Sequence, residues 1–482
     1  MTMQSKLLER TGGYIGGQWI TEAPGGNFDV INPANGDVLA RLPNMAAPEC
    51  VAAIEIAERS LRPGEPVSER RRWLEILHDR LLAMKEEFAK IITSENGKPL
   101  REALVEVEYA AGFFRFFAEQ TPRLEPEVLP GRMRNCTWTI HRRPAGVAGL
   151  IAPWNFPLAM MGKKVAAALA AGCGIVIKPA RQTPLSMIAL CHVAEQIGLP
   201  VGRLNVVFGP AGPIGETFCT HPAVRVISFT GSTETGEWLA IKSAPHLKRL
   251  ALELGGNAPF LVFEDANLER AADALIANKF RVAGQTCVCA NRVLVQARAA
   301  AQFTELVAER VRKLRVGDGF DPASDLGPLI DRAQYEKVAA HVRDALARGA
   351  RRIAGSDPPP LSHDWGAFFP PTVLTGVTRD MKVCCEETFG PVVAIATFDT
   401  EAEAVAAAND TCYGLAAYAF SEDADRLDRL SSQLQFGHLG FNTGTGPRPE
   451  APFGGFKRSG YGREGGVDGL FEFCESQVVA RA

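Results

Sequence analysis

From residue 145 onward the chain alternates short apolar runs with helix-period segments, and this alternation narrows the available folds more than any other feature. Residues 145–152 read as a buried strand and 158–171 as an alanine-rich helix. Residues 174–178 are a second strand, followed by a helix over 184–197. Further strands lie at 204–208 and 224–229, with helices starting near Pro213 and Thr233. Strands joined through helices by short connections predict a parallel, doubly wound sheet. A second α/β region begins after Glu253, with a strand at 258–263, a helix at 267–280 and a strand at 292–295, and runs to about Thr443. Upstream, 48–61 and 67–96 read as helices with Glu, Lys and Arg on the solvent side. Residues 121–143 and the tail after Gly466 carry patchier patterns that suit an arm packed on a partner.

A chain of 482 residues, 46% hydrophobic and 22% charged, suits two or three globular domains. A net charge of −3 gives no electrostatic reason to expect nucleic acid. No apolar run reaches membrane-spanning length, and residues 1–13 lack the apolar stretch and cleavage site of a secretory signal. The 11 cysteines form an odd count, mostly inside apolar segments, which argues against a disulfide framework. Without Cys-x-x-Cys or His-x-x-x-His, and with only 8 scattered histidines, no metal site is expected. The expected compartment is a reducing cytoplasm.

Several segments carry chemistry. Phe280-Arg281-Val282-Ala283-Gly284-Gln285-Thr286-Cys287-Val288-Cys289-Ala290-Asn291-Arg292 sets Cys287 in a glycine-containing turn after the helical run 267–280. A thiol becomes a nucleophile where N–H groups, a helix end or cations stabilise its thiolate; otherwise a free cysteine is a small core hydrophobe. Pro153-Trp154-Asn155-Phe156-Pro157 follows a strand at its carboxyl end, where open parallel sheets bind ligands. Asn155 there reads as an oxyanion donor or as a helix cap. Lys178-Pro179-Ala180-Arg181 closes the next strand, with Lys178 on ribose or phosphate, or simply solvated. In Phe229-Thr230-Gly231-Ser232-Thr233-Glu234-Thr235-Gly236, small residues bring N–H groups to a pyrophosphate at a helix start, or form a plain capping box. Leu252-Glu253-Leu254-Gly255-Gly256-Asn257 puts a carboxylate in an apolar strand end, where burial raises its pKa and prepares a general base. Glu387-Thr388-Phe389-Gly390-Pro391 adds an acid beside an aromatic, and Pro452-Phe453-Gly454-Gly455-Phe456-Lys457 a tight turn. Gly460-Tyr461-Gly462-Arg463-Glu464-Gly465 matches the dinucleotide fingerprint by letters, but lacks the expected strand-to-helix turn and the later acidic residue. It is set aside as a cofactor site.

Taken in this order, the segments resemble the aldehyde dehydrogenase superfamily from about Tyr14 to Gly466. They are most similar to the bacterial succinate-semialdehyde dehydrogenases, through 280–292 with its Cys-x-Cys, Phe441-Asn442-Thr443-Gly444, 452–465, and Ile31-Asn32-Pro33-Ala34-Asn35-Gly36-Asp37. The resemblance implies an α/β fold with a Rossmann-like dinucleotide-binding domain over 1–121 and 144–253 and an α/β catalytic domain over 254–443. It also implies an oligomerisation arm over 122–143 and 467–482, in a homodimer or homotetramer. The implied reaction is NAD(P)-dependent oxidation of an aldehyde to a carboxylic acid. Cys287 forms a thiohemiacetal, Asn155 and the Cys287 N–H hold the oxyanion, and Glu253 activates the water that cleaves the thioester. Trp154, Lys178, Ala180, Arg181, Gly231, Ser232 and Leu254 would hold the cofactor, with Glu387 on the nicotinamide ribose and Phe389 beside it. Arg181 stands where many relatives carry a glutamate that accepts from the adenosine ribose. A guanidinium suits a 2′-phosphate instead, so NADP is expected over NAD.

Arg281 matches the arginine that binds the substrate carboxylate in succinate-semialdehyde dehydrogenases. Lys163 stands where a second arginine is usual, and Arg448 where a serine is. The expected substrate is an anionic aldehyde, succinate semialdehyde first, with glutarate semialdehyde, sulfolactaldehyde or a broad range of aldehydes as alternatives. Cys289 reads either as the partner in a redox switch or as a packed residue. A coenzyme-A-acylating enzyme would lack Glu253, and a non-catalytic binding protein would not need Cys287, Glu253 and Asn155 together.

Overall fold

The computed structural model describes residues 5–130 and 136–482. Residues 131–135 of the expected arm and 1–4 of the N-terminal segment lie outside the described residues.

Five strands form the parallel centre of the first sheet. In space they run Leu204–Val206, Gly174–Lys178, Val147–Ile151, Val224–Thr230 and Arg249–Glu253. Gly174–Lys178 is buried at every position, the run of apolar residues that a parallel sheet covered on both faces requires. Val147–Ile151 neighbours both the next strand and the fourth, so the order reverses between it and Val224–Thr230. The crevice beyond the carboxyl ends at such a reversal is where open sheets bind ligands. The helix Pro157–Ala171 fills one face. Proline at its first position presets φ, Gly172 ends it at φ 90°, and all of it but Met160 is buried.

The second sheet runs Arg351–Ala354, Thr372–Thr375, Val392–Phe398, Ala290–Gln296, Ala258–Val262, Ala416–Phe420 and His438–Phe441. Its strands are parallel except the first. Separate apolar cores underlie the two sheets, one around Leu150 and Ile175, the other around Phe260 and Val293. A third, three-stranded sheet pairs Cys474–Arg481 with Thr137–Pro144 along their full length and adds Glu127–Val128. The α/β class expected from the alternation is the one observed.

Three readings change. Residues 67–96 form two helices, Val67–Ala83 and Lys85–Asn96, because Met84 leaves the helical region (φ −108°, ψ 20°) without a proline or glycine to signal it. The helix Leu100–Gln120 went unassigned. It packs against Val67–Ala83, Lys85–Asn96 and Pro157–Ala171, and burying Phe113, Phe114, Phe116 and Phe117 on several sides blurs its period. The segment 460–465 does lie between a strand, Gly460–Tyr461, and a helix, Gly466–Phe471. That strand, however, is antiparallel to Arg249–Glu253 at the sheet edge rather than the start of a parallel crossover. No helix among the described residues is long and apolar enough to cross a membrane.

Candidate active site

A cavity of about 1080 Å³ is lined by residues that end or follow first-sheet strands (Trp154, Asn155, Gly231, Ser232, Glu253, Leu254) and residues that precede second-sheet strands (Cys287, Glu387, Phe389). The connections out of one sheet and into the other thus build a single site.

Asn155 leaves Val147–Ile151 in the turn before Pro157–Ala171. Its Oδ1 accepts from the Phe156 N–H at 3.1 Å, and Nδ2 donates one proton to Gln285 O at 2.9 Å. Cys287 follows the short 3₁₀ turn Arg281–Gly284, in which Val282 (φ 51°) and Ala283 (φ 53°) are left-handed. A β-branched residue there is strained by about 1–3 kcal/mol and persists only where its surroundings over-determine it. Gly284 is required: a Cβ would stand 2.3 Å from Gly390 O. Phe389 (φ 55°) and Asn442 (φ 52°) also line the cavity, so four of the six left-handed non-glycine residues described lie in or beside this site. The Cys287 N–H makes no hydrogen bond among the described residues, which leaves it free for an oxyanion.

The thiol departs from expectation. Cys287 is part-exposed, yet the recess desolvates it and pushes its pKa up to about 12, with Glu387 and Glu253 adding to the rise and Lys163 opposing it. The N–H groups and cations that would stabilise a thiolate are outweighed here by desolvation beside two carboxylates. A base is therefore needed, and Glu253 is buried with neither carboxylate oxygen hydrogen-bonded. Burial raises its pKa well above the usual range and Glu464 adds to this, against Lys163, Lys164 and Arg463.

Glu464, which sequence reasoning missed inside the discarded glycine motif, is ion-paired to both Lys163 and Lys164. Ser228 Oγ donates to it at 2.8 Å. Burial alone would raise Glu464, but the two ammonium groups outweigh it and hold the carboxyl at about 2. Lys163 lines the cavity, with its ammonium engaged by the carboxylate it shares with Lys164. Arg448 is exposed and is not among the lining residues, whereas Arg281 lines the cavity with its guanidinium 5.2 Å from the Phe156 ring centre. Tyr109 and Arg270, also missed, share the lining, and Tyr109 donates to Pro447 O at 3.1 Å. Nothing in their spacing marks them.

In the same lining the Trp154 and Phe389 rings meet edge to face at 5.6 Å. Desolvation lifts Glu387 to about 7, against the Gly256 N–H it accepts at 3.1 Å. Gln334, a further missed residue, donates to Phe389 O at 2.8 Å and holds that strained loop. Ser232 caps the helix Thr233–Ser243, accepting from the Thr235 N–H at 3.3 Å. A Cβ on Gly255 would come within 3.2 Å of both Glu387 Oε2 and Thr233 Oγ1. Small residues, a helix start and an acid at the strand-order reversal fit a dinucleotide.

Lys178, Ala180 and Arg181 do not line this cavity. Lys178 is buried, pushed down to about 8 by desolvation, and donates to Pro179 O at 3.3 Å. Ala180 is half-buried, and Arg181 is exposed with its guanidinium 4.6 Å from the Phe28 ring centre. Cys289 is buried off the cavity, its Sγ 3.3 Å from Gly284 O and 3.6 Å from Lys279 Nζ. Among the described residues, no His, Cys, Asp and Glu cluster has the makings of a metal site.

Comparison with known proteins agrees with this geometry. Residues 19–479 match the aldehyde dehydrogenase family. The chain is 44% identical to the NADP(+) succinate-semialdehyde dehydrogenase of Escherichia coli (strain K12), covering 99% of each. It is 43% identical to the 3-sulfolactaldehyde dehydrogenase of Pseudomonas putida, covering 99% of this chain and 98% of that one. It superposes on the crystal structure of an oxidoreductase from Marinobacter aquaeolei with TM-score 0.97 and 52% identity, over 100% of both chains. A free thiol, an unpaired buried glutamate and a strand-reversal crevice, in a chain aligned end to end with such relatives, leave one assignment: the protein belongs to the aldehyde dehydrogenase family.

Proposed function

We propose that this NAD(P)-dependent aldehyde dehydrogenase acts on an aldehyde with an anionic group remote from the carbonyl, succinate semialdehyde being the best-supported substrate. The carrying observation is Arg281, a cation on the cavity wall with no carboxylate in ion-pair reach among the described residues. Arg281 is exposed at the cavity, so its guanidinium is open to a bidentate contact with an anionic tail. The Escherichia coli relative acts on succinate semialdehyde by name, which supports the same reading.

In this account Glu253 takes the Cys287 proton, and Sγ bonds to the carbonyl carbon. The oxygen takes up the electron pair facing Asn155 Nδ2 and the Cys287 N–H. When bound, the nicotinamide accepts the hydride that leaves the tetrahedral carbon, so that carbon becomes a thioester on Cys287. Glu253, after releasing that proton to solvent, deprotonates a water that attacks the thioester; the C–S bond breaks, the acid departs, and Glu253 returns the water's proton to the Cys287 thiolate. Glu387 is assigned to the nicotinamide ribose, and Trp154, Gly231, Ser232 and Leu254 to the dinucleotide path. Lys178 and Ala180 are assigned to the adenosine side, and Arg181 to a 2′-phosphate, making NADP the preferred cofactor. The arm sheet, with Val128, Trp138 and Val478 exposed on it, is assigned to assembly of a dimer or tetramer, in a cytoplasmic enzyme.

The test crosses succinate, glutarate and sulfonated aldehydes and butanal with NAD and NADP. The account expects kcat/KM to favour anionic aldehydes strongly over butanal. Equal values for butanal and succinate semialdehyde, unchanged by Arg281→Ala, contradict it. A maximum on the sulfonated aldehyde would select the reading that the Pseudomonas putida relative supports.

A further inference from the structure

The helix Leu100–Gln120 carries Glu102 and Glu106 one turn apart on one face. Each carboxylate binds the backbone of a different catalytic loop. Glu106 Oε1 accepts from the Leu158 and Ala159 N–H groups at 2.9 and 3.2 Å, in the first turn after Asn155. Its Oε2 takes Lys98 Nζ at 2.6 Å, and Lys98 also donates to Asn155 O at 2.6 Å. Glu102 Oε2 accepts from the Val282 N–H at 2.8 Å, inside the left-handed pair that precedes Cys287. The loops are then tied directly, Asn155 Nδ2 to Gln285 O. One helix therefore gives the oxyanion amide and the thiol a common frame.

Within the Arg281–Gly284 turn, the bonds Ala283 N–H to Phe280 O and Gln285 N–H to Val282 O are local and move with it. The Gln285 side chain, which donates to Val282 O at 3.0 Å, belongs to the same segment. The Glu102 carboxylate comes from outside. It is half-buried, lines the cavity and stands near the Arg281 charge. A strained valine needs an external hold of this kind.

We propose that Glu102 is a positioning residue: by holding the Val282 N–H it fixes the turn that aims Cys287 at the Asn155 amide, and with it the Arg281 side chain. The proposal rests on Cys287 being the nucleophile.

The experiment measures the pre-steady-state burst of reduced cofactor with succinate semialdehyde and NADP in Glu102→Ala and Glu102→Gln, with NADP affinity from fluorescence titration. A misaimed nucleophile costs up to about 10²-fold. Glu102→Ala should therefore lose burst rate on that scale with NADP affinity unchanged, and Glu102→Gln, which retains an acceptor oxygen, should recover most of it. A wild-type burst in Glu102→Ala overturns the proposal. So does a loss that cofactor affinity shares equally and glutamine does not restore. If Glu102→Ala does not fold, Glu102→Asp replaces it, keeping the charge but shortening the reach. A burst slower than that of Glu102→Gln supports the proposal, and a wild-type burst overturns it. Cys287→Ala is run alongside: turnover there defeats the nucleophile assignment itself, whereas its silence with a normal Glu102→Ala defeats this proposal alone.

Discussion

Lys163, in the wall of the cavity, forms an ion pair with Glu464, a carboxylate that it shares with Lys164. Selectivity for an anionic tail should then fall to Arg281 rather than Lys163. Arg281→Ala is expected to raise KM for succinate semialdehyde and leave butanal little changed. Loss of a charged hydrogen bond of about 1.5–3 kcal/mol corresponds to roughly 10- to 150-fold. Lys163→Met should instead lower kcat for both aldehydes alike, through the disturbed Glu464 and Glu253. Steady-state kinetics of the two variants on the two aldehydes check this, and an anion-specific loss in Lys163→Met would contradict it.

The pH dependence follows from Glu253. Burial raises its pKa, so the carboxyl is protonated, and useless as a base, to a higher pH than an ordinary glutamate of about 4.3. As pH rises through the shifted value the base ionises and kcat climbs, and as pH falls activity is lost. The kcat–pH profile should show an acid limb displaced above the ordinary carboxylate range, and Glu253→Gln should abolish that limb. A limb that survives in Glu253→Gln belongs to another group.

The proposed NADP preference rests on Arg181. Its exposed guanidinium rests on Phe28 and is not consumed by a carboxylate among the described residues. Arg181→Glu should raise the NADP KM and improve NAD use, since a carboxylate repels a 2′-phosphate and accepts from ribose hydroxyls. An unchanged NADP/NAD ratio of kcat/KM would put this arginine outside the cofactor site.

Cys289 offers a redox test. Its sulfur is engaged by Gly284 O and Lys279 Nζ, so a bond to Cys287 requires the turn to release it. If Cys289 is a switch, mild peroxide should inactivate the wild type through a Cys287–Cys289 bridge that dithiothreitol reverses, and Cys289→Ala should not recover in the same way. Mass spectrometry of the active-site peptide decides between them; absence of the bridge makes Cys289 a packed residue.

The sequence displays best what local period and turn chemistry encode. The strand Gly174–Lys178 was read at its observed limits, and Asn155, Glu253 and Cys287 stood in motifs that the folded chain brings to one cavity. Groups whose meaning is tertiary stayed hidden. Glu102 and Glu106 look like solvated helical charges until Val282 and Leu158 arrive from distant segments. Glu464 sits in a glycine run that suggests a different role, and its partner Lys164 lies 300 residues away, with Lys163 beside it in sequence. The thiol's raised pKa is tertiary in the same way: its desolvation is set by the assembled recess, not by the Gly-Gln-Thr-Cys turn.

The central claim, that chemistry passes through Cys287 and is released by Glu253, is tested most directly by trapping the acyl enzyme. Glu253→Gln is mixed with succinate semialdehyde and NADP at pH 9, where a small share of the thiol ionises without a base, then quenched, digested and analysed by mass spectrometry. The account predicts a succinyl adduct on the Cys287 peptide that persists in Glu253→Gln, decays in wild type and is absent in Cys287→Ala. Turnover by Cys287→Ala, or an adduct on any other residue, would contradict it.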